Sequence, residues 1–156
     1  MQKLIDLAHI RSTARKIRGI VKKTPLQESL NYSQKYNSKI FFKREDLQDV
    51  KSFKIRGAYT KILSVEKTIA QNGLVCASAG NHAQGFAVSC SLLDYNGIVF
   101  MPHSTPILKV GLVKKFGGKN IKIKLVGENF SKAYKAAMDY CISNRLYLIH
   151  ISEPTR

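Results

Sequence analysis

The chain has 156 residues, 44% of them hydrophobic, enough to bury one core of domain size. No apolar run approaches the roughly 20 residues that cross a bilayer, so no membrane partner is expected. The net charge of +16 leaves three classes of anionic partner to weigh: nucleic acid, a membrane surface or a small molecule.

In chain order, the first thirty residues place Leu4, Ile5, Leu7, Ala8, Ile10, Ala14, Ile17 and Val21 among charges. That spacing predicts an amphipathic helix and lacks the apolar block of a secretory signal. A second helix is predicted from Ser52 to Ser64, with Ser52 capping its first turn. "GLVCA", Gly73 to Ala77, reads as a short buried strand, and "SAGNHAQGFAVSCSLL" as a loop running into a helix that ends at Leu93. "GIVFM", Gly97 to Met101, is a second strand. Thr105 and Pro106 read as cap and first helical residue, and Gly117-Gly118 as the stop. "IKIKLV", Ile121 to Val126, is a third strand, Ser131 to Asn144 a helix, and Leu146 to His150 a fourth strand. Strand and helix alternating in this way predict an α/β fold with a parallel sheet and flanking helices.

The lysine-rich run from Lys109 to Leu125 alternates with Ile121, Ile123 and Leu125 in its second half, as a strand with one solvated face does. No nucleic-acid motif or aromatic stacking platform accompanies it, so no nucleic-acid partner is expected, although a basic α/β nucleic-acid-binding module stands as the alternative from another class. Cys76, Cys90 and Cys141 are spaced for neither a disulfide framework nor a zinc site, which points to a reducing, cytoplasmic compartment and no metal. Cys76 with His82 could in principle form a cysteine–histidine hydrolase pair, but Cys76 falls inside a predicted buried strand.

In parallel sheets, ligands bind at the carboxyl ends of the strands, where a loop feeds a helix. Ser78, Ala79, Gly80, Asn81 and His82 occupy that position after the first strand of the run. The glycine allows tight backbone geometry, and the amides at the helix start would face an anion. An anion pocket is the functional reading; an ordinary turn with Asn81 as helix cap is the plain one.

The segments "FFKREDLQDVKSFKIRGAYTKI" and "SAGNHAQGFA", in that order, resemble the threonine dehydratase group of the pyridoxal-phosphate enzymes. The resemblance is dense from Phe41 to Gly57 and from Val75 to Ala87. It implies fold type II, the tryptophan-synthase-β-like fold. It implies that Lys54 carries pyridoxal 5'-phosphate covalently, that Phe53 lies against the cofactor ring, and that Asn81 bonds the ring's 3-oxygen. Ser78, Ala79, Gly80, Asn81 and His82 would cup the carboxylate of an amino-acid substrate, while Arg44, Glu45 and Asp46 would hold the segment before Lys54. The activity implied is that of a lyase: β-elimination from L-threonine or L-serine, giving 2-oxobutanoate or pyruvate and ammonia. Serine racemases, close relatives, carry a serine where this chain has Ala79, which favours elimination over a racemase-like reaction.

The same resemblance implies that residues 1–48 begin a large domain, that 49–150 form a small one, and that the full-length protein is a homo-oligomer. The family's phosphate-binding loop and cation ligands lie further along than Arg156. The ending "ISEPTR" fits no element derived above, and "LYLIHISEPTR" resembles translated adapter sequence, so an artefactual end is expected from about Leu146, the fourth strand included, with 151–156 an unstructured or artefactual tail. The chain is thus expected to be an N-terminal fragment, inactive alone.

Overall fold

The computed structural model describes residues 6–150. The chain begins with α1 (Leu7–Lys16), capped by Asp6, whose carboxylate accepts the backbone N–H of His9 at 2.8 Å. The helix is shorter than its apolar periodicity suggested: Ile17 takes the cap position, Gly19 adopts φ 81°, and Arg18 bridges to Val21. Leu4 and Ile5, also expected in it, lie outside the described residues. Next come β1 (Leu26–Glu28), α2 (Leu30–Lys35) and β2 (Phe41–Lys43). The two strands pair antiparallel, Leu26 with Lys43 and Glu28 with Phe41.

The remainder is built on one four-stranded sheet. After α3 (Lys54–Leu63) and α4 (Lys67–Asn72) the chain runs β3 (Leu74–Ala77), α5 (Asn81–Leu93), β4 (Gly97–Met101), α6 (Ile107–Gly117), β5 (Ile121–Leu125), α7 (Phe130–Asn144) and β6 (Tyr147–Leu148). Spatial order is β5-β4-β3-β6, every pair parallel, with Leu74 beside Gly97 on one side and Tyr147 on the other. The parallel α/β sheet read from the alternating pattern is therefore present.

Side chains alternate across a strand, so the central strands feed two cores. Leu74, Cys76, Val99 and Met101 pack with Phe86, Ala87 and Cys90 of α5 and Val113 of α6. Val75 and Phe100 point the other way, against Ala137 and Cys141 of α7. Fully burying a side chain such as Phe86 or Val75 contributes about 1.5–3 kcal/mol each. Helices on both faces explain why β3 and β4 read as continuous apolar runs rather than alternating ones.

Several helix starts differ from expectation. Helix α3 begins at Lys54 with Phe53 in the cap position, and Ser52 makes no cap. The reason is local: Lys51 has φ 55°, a left-handed turn that sends Ser52 inward, where it is 6% exposed. Helix α6 begins at Ile107, with Pro106 outside it at ψ 136° rather than in the first helical position. The Thr105 hydroxyl is buried and makes no capping bond. The Gly117-Gly118 stop is found, with Gly118 at φ 52°. Helix α7 is capped by Asn129, whose side-chain oxygen accepts the Lys132 N–H at 3.0 Å. The fourth strand is only two residues long, and the expectation for 151–156 lies outside the described residues.

Among the described residues no helix is long and apolar enough to cross a membrane.

Candidate active site

Strand β3 has β4 on one side and β6 on the other, and the chain reaches them through helices on opposite faces of the sheet. A parallel sheet opens a crevice at the carboxyl end of such a reversal point. The segment 78–82 leaves the sheet there. Its first residue is tied to β4 by the Ser78 N–H donating to the Phe100 carbonyl at 3.1 Å. The Gly80 N–H then donates to the Ser78 hydroxyl at 3.3 Å, closing a turn into α5. Gly80, not Asn81, is the cap residue, so the plain reading of Asn81 as the cap is set aside. A side chain added at Gly80 would meet nothing within 4 Å, so the glycine faces open space. Asn81 is exposed, His82 half-buried with both ring nitrogens shielded from solvent, and Ser78 and Ala79 are half-buried.

The second component is the start of α3. Lys54 is 8% exposed although its side chain carries an amine, while its neighbour Phe53 is 59% exposed. The Lys54 Nζ lies 5.4 Å from the Phe53 ring centroid. Two packing facts fix this lysine. Gly85, on the second turn of α5, sits so close that an added Cβ would fall 3.1 Å from the carbonyl carbon and oxygen of Lys54. From the other side, the segment before Lys54 is pinned through Glu45. The Arg56 guanidinium donates to both Glu45 oxygens at 2.8 Å, Thr24 donates its hydroxyl at 2.6 Å, and Gln48 donates at 3.2 Å. Gln48 also clasps the backbone of Lys22, donating to its carbonyl at 2.9 Å and accepting its N–H at 3.0 Å. The bidentate Arg56 pair holds the Glu45 carboxyl down at about 2.

Of the three residues expected to steady this segment, Glu45 is the hub. Arg44 and Asp46 instead pair with each other near the surface at 2.7 Å, with Arg44 also donating to Gln27 at 2.6 Å. The roles of Arg56 and Gly85 escaped the sequence reading. Arg56 follows Lys54 by two positions, and a charge that close to a buried lysine was the available signal.

The hydrolase alternative is removed by burial. Cys76 is fully buried in β3 and its thiol is pushed far above its ordinary value by desolvation first and by Cys90 second, so it yields no thiolate nucleophile. All three cysteines are free thiols, and among the described residues no group of histidine, cysteine or acidic side chains could hold a metal ion.

Residues 17–155 match the family described as pyridoxal-phosphate dependent enzyme. The chain belongs to the pyridoxal-phosphate dependent enzyme family. Among curated relatives, the biosynthetic L-threonine dehydratase IlvA of Staphylococcus saprophyticus is 48% identical over 133 residues, and that of Bacillus subtilis 45% over 147. These alignments take in 85% and 94% of this chain but only 32% and 35% of those proteins, so the chain spans about a third of their length. Among solved structures, the processed form of threonine deaminase isoform 2 from Solanum lycopersicum is 30% identical with TM-score 0.79, covering 94% of this chain and 41% of that one. Maize serine racemase is 28% identical with TM-score 0.85, covering 95% of this chain and 44% of that one. The type II fold expected from the two motifs is thereby borne out.

The residues present fit the family's cofactor. A primary amine suited to an aldehyde is held in a mostly buried position, with an exposed aromatic ring beside it. The Ser52 hydroxyl is buried two residues away with no hydrogen-bond partner among the described residues. Gly80, the cap residue of α5, leaves open space at the start of that helix.

Proposed function

We propose that this chain carries the cofactor-anchoring lysine and the substrate loop of an ammonia-lyase acting on L-threonine or L-serine. One observation carries the reading: Lys54 is a buried lysine whose backbone packs closely on Gly85 of the helix that leaves the 78–82 loop. The resemblance to threonine dehydratases, at 48% identity for one of them, supports the reaction class.

The site's parts divide the work as follows. Pyridoxal phosphate, when bound, supplies an aldehyde for the amine and an electron sink for the carbanion at the substrate's α-carbon. The amides and hydroxyl of 78–82 orient the substrate by its carboxylate, at the start of a 13-residue helix whose dipole favours an anion. Asn81, exposed at that mouth, offers its side-chain amide to the cofactor ring. Lys54 Nζ takes the proton from the α-carbon, a role that suits an amine held close and partly dry. The β-hydroxyl then leaves as water. Hydrolysis of the released product returns one water and yields 2-oxobutanoate from threonine, or pyruvate from serine, with ammonia.

Elimination is favoured over racemisation by Ala79, whose methyl group carries no proton to deliver to the opposite face. The same reading assigns residues 1–48 to a larger domain and 49–150 to a smaller one. It also takes the whole protein to be a cytoplasmic homo-oligomer whose partner is an amino acid rather than nucleic acid. In the whole protein, Lys54→Ala should abolish ammonia release from threonine and serine. Ammonia release at the normal rate by that variant would refute the proposal.

A further inference from the structure

Ser52 combines two features that the fold does not require of it. Its side chain is buried, with the residue 6% exposed, and its hydroxyl finds no hydrogen-bond partner among the described residues. A buried hydroxyl without a partner destabilises a protein, and such groups are few in native structures. The backbone is also bent to place it. Lys51, immediately before it, holds a left-handed φ of 55° without being glycine, and its N–H donates to the Gln48 carbonyl at 2.9 Å, so this is a closed turn. Strained non-glycine backbone of this kind gathers at binding and catalytic sites. A capping role would explain the serine, but α3 has Phe53 in that position and no side-chain cap.

The turn therefore leaves Ser52 and Lys54 buried on either side of the exposed Phe53, so the unpartnered hydroxyl belongs to a residue two positions before the lysine. We propose that Ser52 is a cofactor-binding residue whose hydroxyl donates a hydrogen bond to an anionic oxygen of the pyridoxal phosphate held at Lys54. This rests on the reading that Lys54 is the anchoring lysine. Charged oxygens are the groups on that molecule that best repay a lone hydroxyl donor. Two of its parts qualify, the phosphate and the ring oxygen.

The test uses the opposite signs that a binding role and a structural role give to Ser52→Ala. Removing an unsatisfied buried hydroxyl should leave the thermal midpoint of the cofactor-free protein unchanged or raise it by about a degree. The same variant should weaken pyridoxal phosphate binding, read from the visible absorbance of the lysine imine, by about tenfold, equivalent to ~1.4 kcal/mol. Titration with pyridoxal, which lacks the phosphate, separates the two acceptors: an equal loss points to the ring oxygen, and no loss points to the phosphate. Loss of stability in the cofactor-free variant, or unchanged pyridoxal phosphate affinity, overturns the proposal. An absorbance band that survives Lys54→Ala in the otherwise wild-type chain overturns the anchoring assignment instead, and this inference with it.

Discussion

Gly85 on α5 meets Lys54 at the start of α3 so closely that one added methyl carbon would lie 3.1 Å from the lysine's carbonyl group and 3.2 Å from the Ile55 nitrogen. Backbone atoms are the obstacle, not a flexible side-chain tip, so the neighbour has to move.

Gly85→Ala should therefore act in two opposed ways. Alanine is favoured over glycine inside a helix by about 1 kcal/mol. Overpacking against backbone costs about 1–3 kcal/mol. The net expectation is a loss of ~1 kcal/mol, read by thermal or urea unfolding, together with slower reaction of Lys54 with pyridoxal phosphate. A stabilised variant with undiminished Lys54 reactivity would show that the contact does not position the lysine.

Glu45 makes stability depend on acid. Its folded value, about 2, lies below the ordinary 4.5, chiefly because Arg56 bonds the ionised form. A depressed carboxyl contributes stability that is complete above the unfolded value and is lost as pH falls through the folded one. The window is therefore about pH 4.5 down to about 2. Glu45→Gln should cost about 1–3 kcal/mol at neutral pH, since it leaves the Arg56 charge half-buried and poorly paired. It should also flatten the acid limb of a urea-unfolding series taken at several pH values.

Lys51 offers the reverse case. Its φ of 55° is a left-handed conformation that costs a side-chain-bearing residue about 1–2 kcal/mol, partly offset by the greater chain entropy that glycine loses. Lys51→Gly should therefore raise stability by up to ~1 kcal/mol, a gain of roughly 2–4 °C in the thermal midpoint for a chain of this size. A fall in the midpoint would mean that the lysine side chain contributes more than its backbone costs.

The cysteines give a chemical check on the core. Burial pushes the Cys90 thiol up to about 12, pushes Cys76 higher, and raises Cys141 as well. Under native conditions none should react with a thiol reagent within minutes, while denaturant should expose all three. Rapid native labelling of Cys76 would contradict its placement in β3.

Much of this architecture was legible because it rests on short-range chemistry. Strands β3 and β4 announced themselves as the short apolar runs "GLVCA" and "GIVFM", and Gly118 marked the end of α6 where a left-handed residue was needed. The turn from β3 into α5 followed from Gly80 at the end of a buried strand. The three-residue strands β1 and β2 were not legible: all six of their residues are exposed, so no buried face imposed a period of two. Helix α4, six residues with only Ala70 buried, was too short to show a helical repeat. The caps at Ser52 and Thr105 misled because a hydroxyl before a helix also suits an inward-facing site, and only the φ of Lys51 and the ψ of Pro106 decide between them. Contacts such as Gly85 with Lys54 join residues far apart in sequence and leave no local trace.

The central claim concerns one amine, and it can be read directly. Treating the protein with pyridoxal phosphate, reducing with borohydride and mapping the labelled peptide should place the phosphopyridoxyl group on Lys54, with none recovered from the Lys54→Ala variant. Label spread over surface lysines such as Lys109, Lys115 and Lys119, with Lys54 unmodified, would contradict the account.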